Sequence, residues 1–234
     1  MRLDKFLSDL GIASRKELKQ IIKSGRVSVN GSSACTPDMQ VNEISDMIMF
    51  DGIELRWARF RYFAMDKPKG VLTASTDKKQ QTVLDIIPDE IKKIGLFPVG
   101  RLDKDTTGLL LLTNDGDYAH RVISPKHEIE KRYLALTEGN ITDEDVIAFK
   151  NGIVLRDGLK CLPAKLEPLS ENKCLVTVME GKYHQVKRML ASVGKPVVEL
   201  RRLSIGDLYL DALMLSEGIV ELTPEQAASV LTAK

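Results

Sequence analysis

Four consecutive leucines, Leu109 to Leu112, constrain the fold of this 234-residue chain more than any other stretch. Gly108 precedes the run, and Asn114-Asp115-Gly116 follows it closely. A short apolar run between turn-forming residues is typical of a buried strand that ends in a turn. The sequence therefore predicts a buried strand here, against which other elements must pack.

Charged residues crowd against the start of this strand: Arg101, Asp103, Lys104 and Asp105. A carboxylate at such a place is half desolvated, so it stays ionised only beside a cation or with donated hydrogen bonds. That environment suits a nucleophile or a general base. A polar loop with an ordinary salt bridge explains the same spacing, so the spacing alone leaves both interpretations open.

The composition allows a packed core, because 43% of the residues are hydrophobic and 29% are charged. The length suits a small domain followed by a larger one. The formal net charge is only +1. A nucleic-acid-binding protein of this balance must therefore concentrate its positive charge locally.

Residues that often bind metals or form disulfides are scattered: Cys35, Cys161, Cys174, His120, His127 and His184. None of them shows metal-ligand spacing, and we expect reduced thiols and no metal. The first ten residues carry too many charges for a cleavable signal, and no apolar run is long enough to cross a bilayer. We therefore expect a soluble, cytoplasmic protein that does not bind a membrane.

Residues 1–58 form a candidate first domain with two helices and a strand-rich end. Ser14 and Glu17 have the spacing of a capping box at the start of the second helix. A strand through Val27 and Val29 leads to a tight turn at Asn30-Gly31, and strand-like residues continue from Ile44 through Met47 to Phe50. Residues 1–26 carry a net charge of +4, with seven basic and three acidic residues. This pattern fits either a backbone-contacting RNA surface or a solvated helix face.

Residues 59–234 form the candidate second domain. Arg56 and Trp57 fall in the linker that leads into it, and Thr142 caps a helix whose apolar residues are Val146, Ile147 and Phe149. Residues 153–180 indicate strands with turns at Asp157-Gly158 and at Pro168. A last amphipathic helix follows Gly181, and residues 181–203 carry six basic residues against one acidic residue.

The residues around the leucine run resemble a known catalytic motif. The text Gly100-Arg101-Leu102-Asp103, then Thr106, then Gly108 to Gly116 is similar to the motif of RNA pseudouridine synthases. More narrowly, it resembles the family that includes the ribosomal small-subunit enzymes. The resemblance implies that Asp103 is the catalytic carboxylate.

Three further stretches resemble motifs of the same family. Lys67-Pro68-Lys69-Gly70 matches a loop behind the catalytic site, whose role we expect to be mainly structural. The Lys131-x-Tyr133-Leu134 stretch matches the tyrosine motif, which implies that Tyr133 stacks on the target base. Gly181 to Met189 matches the motif whose basic residue pairs with the catalytic carboxylate. That residue is Lys187 by position, but Arg188 is adjacent and remains an alternative partner.

Most of residues 1–50 resemble the S4 RNA-binding module. The resemblance rests on Met1 to Leu7, on Ala13-Ser14-Arg15 and on Gly25 to Gly31. It implies phosphate contacts from basic residues on and after the second helix. The complete set of expected substrate-binding residues is Arg101, Lys131, Arg188, Arg15, Lys16, Lys19 and Arg26.

The resemblance implies an α+β protein: a small S4-like domain and a catalytic domain with a mixed, mainly antiparallel sheet. Such an enzyme isomerises uridine to pseudouridine on a flipped-out nucleotide and needs no cofactor. We expect a monomer whose partner is ribosomal RNA or a small-subunit assembly intermediate. The alternatives are a sister enzyme acting on large-subunit RNA, or a non-catalytic ribosome-assembly protein.

Overall fold

The computed structural model describes residues 1–43, 45–55 and 58–232. The expected strand position of Ile44 and the linker residues Arg56 and Trp57 lie outside these ranges. The chain divides into two compact units. The first comprises Met1–Phe60 and Pro88–Leu96, and the second comprises Arg61–Ile87 and Phe97–Lys234.

The first unit packs two helices against a small sheet. Its elements are α1 (Leu3–Asp9), α2 (Arg15–Lys23), β1 (Val27–Val29), β2 (Ile48–Phe50) and β3 (Ile53–Leu55). The three strands are antiparallel, in the order β1-β2-β3. Leu3, Phe6 and Leu18 are among the apolar residues that form their core. A short helix, α3 (Asp89–Lys92), also belongs to this unit.

Capping and turn signals set the ends of these elements as predicted. Ser14 and Glu17 form a complete capping box at the start of α2, in which the Ser14 N–H donates to Glu17 Oε2 over 2.9 Å. Asn30 and Gly31 both have positive φ after β1. The expectation for Met47 was wrong: it precedes β2 and its side chain is 54% exposed, because pairing with β1 begins only at Ile48.

The second unit is built on one sheet of nine strands. In chain order its elements are β4 (Tyr62–Lys67), β5 (Phe97–Val99), β6 (Thr107–Thr113), α4 (Gly116–Ile123), β7 (Lys131–Thr137), α5 (Asp143–Asn151), β8 (Lys165–Ser170), β9 (Lys173–Val178), α6 (Gln185–Ser192), β10 (Val197–Ile205), β11 (Leu208–Tyr209), β12 (Ile219–Glu221) and α7 (Pro224–Ser229). The principal strand order is β12-β4-β6-β10-β7-β9-β8, and β5 and β11 pair with β6 and β10.

The sheet is mixed and mainly antiparallel, as predicted. Only β6 and β10 run parallel among the strand pairs of the described residues. β6 contains the leucine run, whose four side chains are at most 1% exposed. The predicted buried strand is therefore confirmed, and it lies inside the sheet because its two faces are both apolar.

One local expectation in this unit was wrong. Pro168 lies within β8 rather than at a turn, because β8 is an edge strand, where a residue without an N–H is tolerated. The turn falls instead after Ser170, with Asn172 at positive φ. In α5, Phe149 is fully buried and Ile147 is 58% exposed. None of the helices in the described ranges is long and apolar enough to cross a membrane.

Candidate active site

Asp103 lies in the short loop that joins β5 to β6, and two side chains contact its carboxylate oxygens. Lys187 Nζ is 3.1 Å from Oδ2, and His184 Nε2 is 3.2 Å from Oδ1. The Asp103 side chain retains 25% exposure. The carboxylate is thus partly shielded from water, with the Lys187 ammonium at one oxygen and the His184 ring at the other.

Lys187 bridges two carboxylates of the loop. Its Nζ also donates to Asp105 Oδ1 over 2.6 Å. This hydrogen bond lowers the pKa of Asp105 below its usual value. Burial opposes the charge on Lys187, but the hydrogen bonds to Asp105 and Asp103 outweigh it and raise the pKa of Lys187. The lysine therefore stays cationic at neutral pH.

Arg188 points elsewhere. Its Nη2 lies 2.5 Å from Asp157 Oδ2, in the turn that precedes β8. Adjacent residues of a helix point about 100° apart. Of the two adjacent basic residues on α6, the structure therefore brings Lys187, and not Arg188, to Asp103.

The Lys67-Pro68-Lys69-Gly70 turn forms hydrogen bonds to the backbone of the loop that contains Asp103. Lys67 is fully buried and its ammonium donates to the carbonyl oxygens of Pro68, Lys104 and Thr106 at 3.0–3.3 Å. Burial lowers the pKa of Lys67. The Gly70 N–H also donates to Lys104 O over 2.8 Å. These bonds fix the backbone that follows Asp103, at Lys104 and Thr106.

A cavity of about 840 Å³ opens beside Asp103. Tyr133 lies half-buried in its wall, on β7. Arg101 contributes an exposed guanidinium at the rim, and Lys131 lies buried in the floor. The structure therefore brings Asp103, Tyr133, Lys131 and Arg101 together around one cavity large enough for a nucleotide.

Sequence reasoning gave no role at the cavity to His184 or Arg202. His184 precedes α6 and has a left-handed backbone, with φ 47°, which is uncommon for a residue other than glycine. Its ring stacks on Tyr183 with 3.8 Å between the ring centroids. Arg202 is opposite Tyr133 in the pairing of β10 with β7. The alternation of β10 could have placed Arg202 on the cavity side, but only once its neighbouring strand was known.

The four expected phosphate-binding residues of the N-terminal region belong to the first unit. Arg15, Lys16 and Lys19 are exposed on α2. Arg26 forms a salt bridge with Asp51, and its guanidinium lies 4.7 Å from the centroid of the Phe50 ring. The charge of Arg26 is thus partly compensated, whereas the α2 residues present a basic surface. Within the described ranges, no cluster of three or more His, Cys, Asp or Glu could hold a metal ion.

Comparisons with known proteins place the chain in a family. The sequence profile of a family described as RNA pseudouridylate synthase matches residues 61–192, and the S4 domain profile matches residues 1–48. A ribosomal small subunit pseudouridine synthase A of Vibrio cholerae is 42% identical, over 98% of this chain and 99% of its own. The Escherichia coli protein of that name is 39% identical, over 99% and 100% of the two chains.

An uncharacterized RNA pseudouridine synthase of Bacillus subtilis is 41% identical, over 97% of this chain and 96% of its own. A crystal structure of a pseudouridylate synthase superposes with a TM-score of 0.68 at 35% identity, and it covers 98% of this chain and 99% of that one. Family models and full-length relatives thus lead to the same assignment. The chain belongs to the RNA pseudouridylate synthase family and begins with an S4 domain.

Proposed function

We propose that this protein converts a specific uridine of small-subunit ribosomal RNA into pseudouridine, with Asp103 as the catalytic carboxylate. One observation carries the proposal. Asp103 faces a nucleotide-sized cavity while Lys187 and His184 contact its two oxygens. The choice of small-subunit RNA rests on the names of the Vibrio and Escherichia relatives, which match nearly the whole chain.

The reaction is an isomerisation. The C1′–N1 glycosidic bond breaks, the uracil turns within the cavity, and C5 forms a bond to C1′. C5 then loses its proton and N1 gains one, so no atom is added to the RNA. Asp103 attacks either C1′ of the sugar or C6 of the ring. Tyr133 stacks on the uracil, which has left its helical stack at a cost of a few kcal/mol.

RNA binding is divided between the two parts of the chain. We assign it to an S4-like domain of residues 1–58, through Arg15, Lys16, Lys19 and Arg26, and to a catalytic domain of residues 59–234. In the catalytic domain Arg101 and Arg188 contact the RNA backbone, and Lys131 contacts the target nucleotide inside the cavity. Backbone contacts of this kind supply most of the affinity of RNA-binding proteins and make it dependent on salt. The protein acts as a monomer in the cytoplasm, on ribosomal RNA or on an assembly intermediate.

The substitution Asp103→Asn tests the proposal. It keeps the shape of the side chain but removes its charge, so we expect no pseudouridine while RNA affinity stays within about twofold of wild type. Chemical mapping of pseudouridine in ribosomal RNA measures the first quantity, and filter binding measures the second. Asp117→Asn, at an exposed position of α4, makes the same chemical change away from the site and should keep full activity.

The same mapping separates the alternatives. Turnover by Asp103→Asn near the wild-type rate would exclude Asp103 as the catalyst. A modified uridine in the large-subunit RNA would identify a sister enzyme of the same family. If deletion of the gene left every pseudouridine in place, a non-catalytic role in ribosome assembly would be favoured.

A further inference from the structure

Two buried cations lie side by side in the floor of the active-site cavity. Lys131 is 7% exposed and Arg202 is 4% exposed, and both line the cavity. Lys131 and Tyr133 are two residues apart on β7, so their side chains lie on the same face of the sheet. Arg202 is paired with Tyr133, and Ile205 with Lys131, across to β10. The two cations and the tyrosine therefore share one face.

Neither cation is paired with a carboxylate of the described residues. The Lys131 ammonium donates to one carbonyl oxygen, Ile129 O, at 2.9 Å. Arg202 donates from Nε to Leu109 O at 2.7 Å and from Nη1 to the Tyr133 hydroxyl at 3.4 Å. Its Nη2 is buried with no hydrogen-bond partner. The carboxylate of Asp103, on the cavity wall, contacts Lys187 and His184 instead.

Two buried cations without a counter-ion destabilise the protein unless a ligand brings negative charge into the cavity. Burial, and then repulsion by Arg202, lowers the pKa of Lys131 to about 8. A buried charge without a counter-ion is strongly unfavourable, and two neighbouring cations make it more so. A structural role would be served better by apolar residues of the same size. The pair is therefore suited to a ligand that carries negative charge.

We propose that Lys131 and Arg202 bind the carbonyl oxygens of the uracil ring and stabilise the negative charge that the ring acquires during the reaction. This inference rests on the proposed function, because it deepens the role of the same cavity. When the C1′–N1 bond breaks, its electron pair stays on N1 and spreads to O2 and O4. If Asp103 first adds to C6, the charge appears on O4. Both routes place negative charge on ring oxygens, and prearranged hydrogen-bond donors in a site without water can stabilise that charge.

A ring-binding experiment tests the inference without RNA. Barbiturate is a pyrimidine ring of uracil-like shape that is already an anion at neutral pH. In protein-observed NMR titrations we expect the wild-type protein to bind barbiturate at least about tenfold more tightly than uracil. Lys131→Met should abolish that preference, because it weakens the binding of the anionic ring far more than the binding of neutral uracil. Lys165→Met, which removes an exposed lysine on β8, should keep it.

Two results would overturn the inference. One is equal affinity of the wild-type protein for uracil and barbiturate. The other is competition by inorganic phosphate that depends on Lys131, with no preference between the rings, since the pair would then bind a backbone phosphate. Removal of a buried charge should not unfold the domain, and thermal unfolding of Lys131→Met checks this.

Single-turnover kinetics at saturating RNA provide a second test. Lys131→Met should slow conversion about 100-fold with RNA affinity unchanged, because an oxyanion-type donor acts on the reacting state. Weaker RNA binding with an unchanged rate would instead indicate a phosphate contact and contradict the inference. A different result would contradict only the proposed function. If the protein prefers barbiturate but forms no pseudouridine in small-subunit RNA, the role of Lys131 and Arg202 is supported and only the assigned substrate is wrong.

Discussion

At the scale of single residues, the charged side chains of the candidate active site differ in whether they have a partner of opposite charge. Asp103 and Asp105 share the cation of Lys187, and Lys67 is held among carbonyl oxygens behind them. Lys131 has no such counter-charge among the described residues. The buried charge of Lys131 therefore lowers the stability of the protein, whereas the charge of Lys187 is stabilised by its two carboxylate partners. This difference leads to a prediction that involves no substrate.

The stability of the protein should depend on pH through Lys131. Its pKa is about 8 in the folded protein and near 10.5 in the unfolded chain. Between these values the unfolded chain binds more protons, so the free energy of unfolding rises with pH. The destabilisation caused by the buried charge is fully present below about pH 8 and disappears as the pH rises towards 10.5. The shift corresponds to about 3 kcal/mol.

Urea unfolding of the wild-type protein and of Lys131→Met at pH 7 and pH 10 measures this effect. We expect the variant to be the more stable protein at pH 7 and its advantage to shrink as the pH rises. Lys165→Met removes a lysine that is exposed, so its difference from wild type should stay constant over the same range. A constant difference for Lys131→Met as well would mean that its ammonium is not desolvated.

At the scale of elements, the parallel pair β6 and β10 connects the motifs that are far apart in the chain. β6 follows the Asp103 loop directly, and β10 carries Arg202 beneath the cavity. The two strands pair at Gly108 and Arg202. α6, which carries Lys187, precedes β10 along the chain. The geometry of the site therefore depends on how closely these two strands approach each other.

Gly108→Ala should disrupt that approach. Gly108 has φ +100°, and a Cβ atom there would overlap Arg202 O and lie 2.8 Å from Arg202 N. Both the strain and the clash with backbone are unfavourable, so we expect a loss of at least about 3 kcal/mol in the free energy of unfolding. Chemical denaturation measures it. Gly116→Ala meets open space at the start of α4 and should change stability by no more than about 0.5 kcal/mol.

At the scale of the whole molecule, the net charge of +1 conceals a local concentration of positive charge. The exposed basic residues of α2 lie in the first unit, whereas Asp103 and the cavity lie in the second. Affinity and chemistry should therefore respond to different substitutions. A charge-reversed α2 separates the two contributions.

Arg15→Glu combined with Lys19→Glu should weaken RNA binding and flatten its dependence on salt. Each lost phosphate contact reduces the slope of log K against log salt by about 0.7–0.9. Turnover of RNA that is already bound should not change. Binding measured at several salt concentrations and single-turnover rates at saturating RNA provide the two readouts. A slower reaction at saturation, with unchanged affinity, would contradict this division of roles.

Local signals in the sequence determined much of this protein. The leucine run predicted a buried strand, because four consecutive apolar residues cannot be solvated on either face. The Ser14–Glu17 spacing predicted the start of α2, because a capping box involves only neighbouring backbone groups. The motif around Asp103 identified the family, and full-length relatives confirm it.

Only the tertiary structure decided which charges meet. The sequence favoured Lys187 by its position and left Arg188 as an alternative, and the direction of α6 brings the first to Asp103 and the second to Asp157. Pro168 indicated a turn, but its place on an edge strand made it part of β8. The pairing of Arg202 with Tyr133 joins residues 69 positions apart. Contacts of this kind depend on strand order and register, which no local pattern encodes.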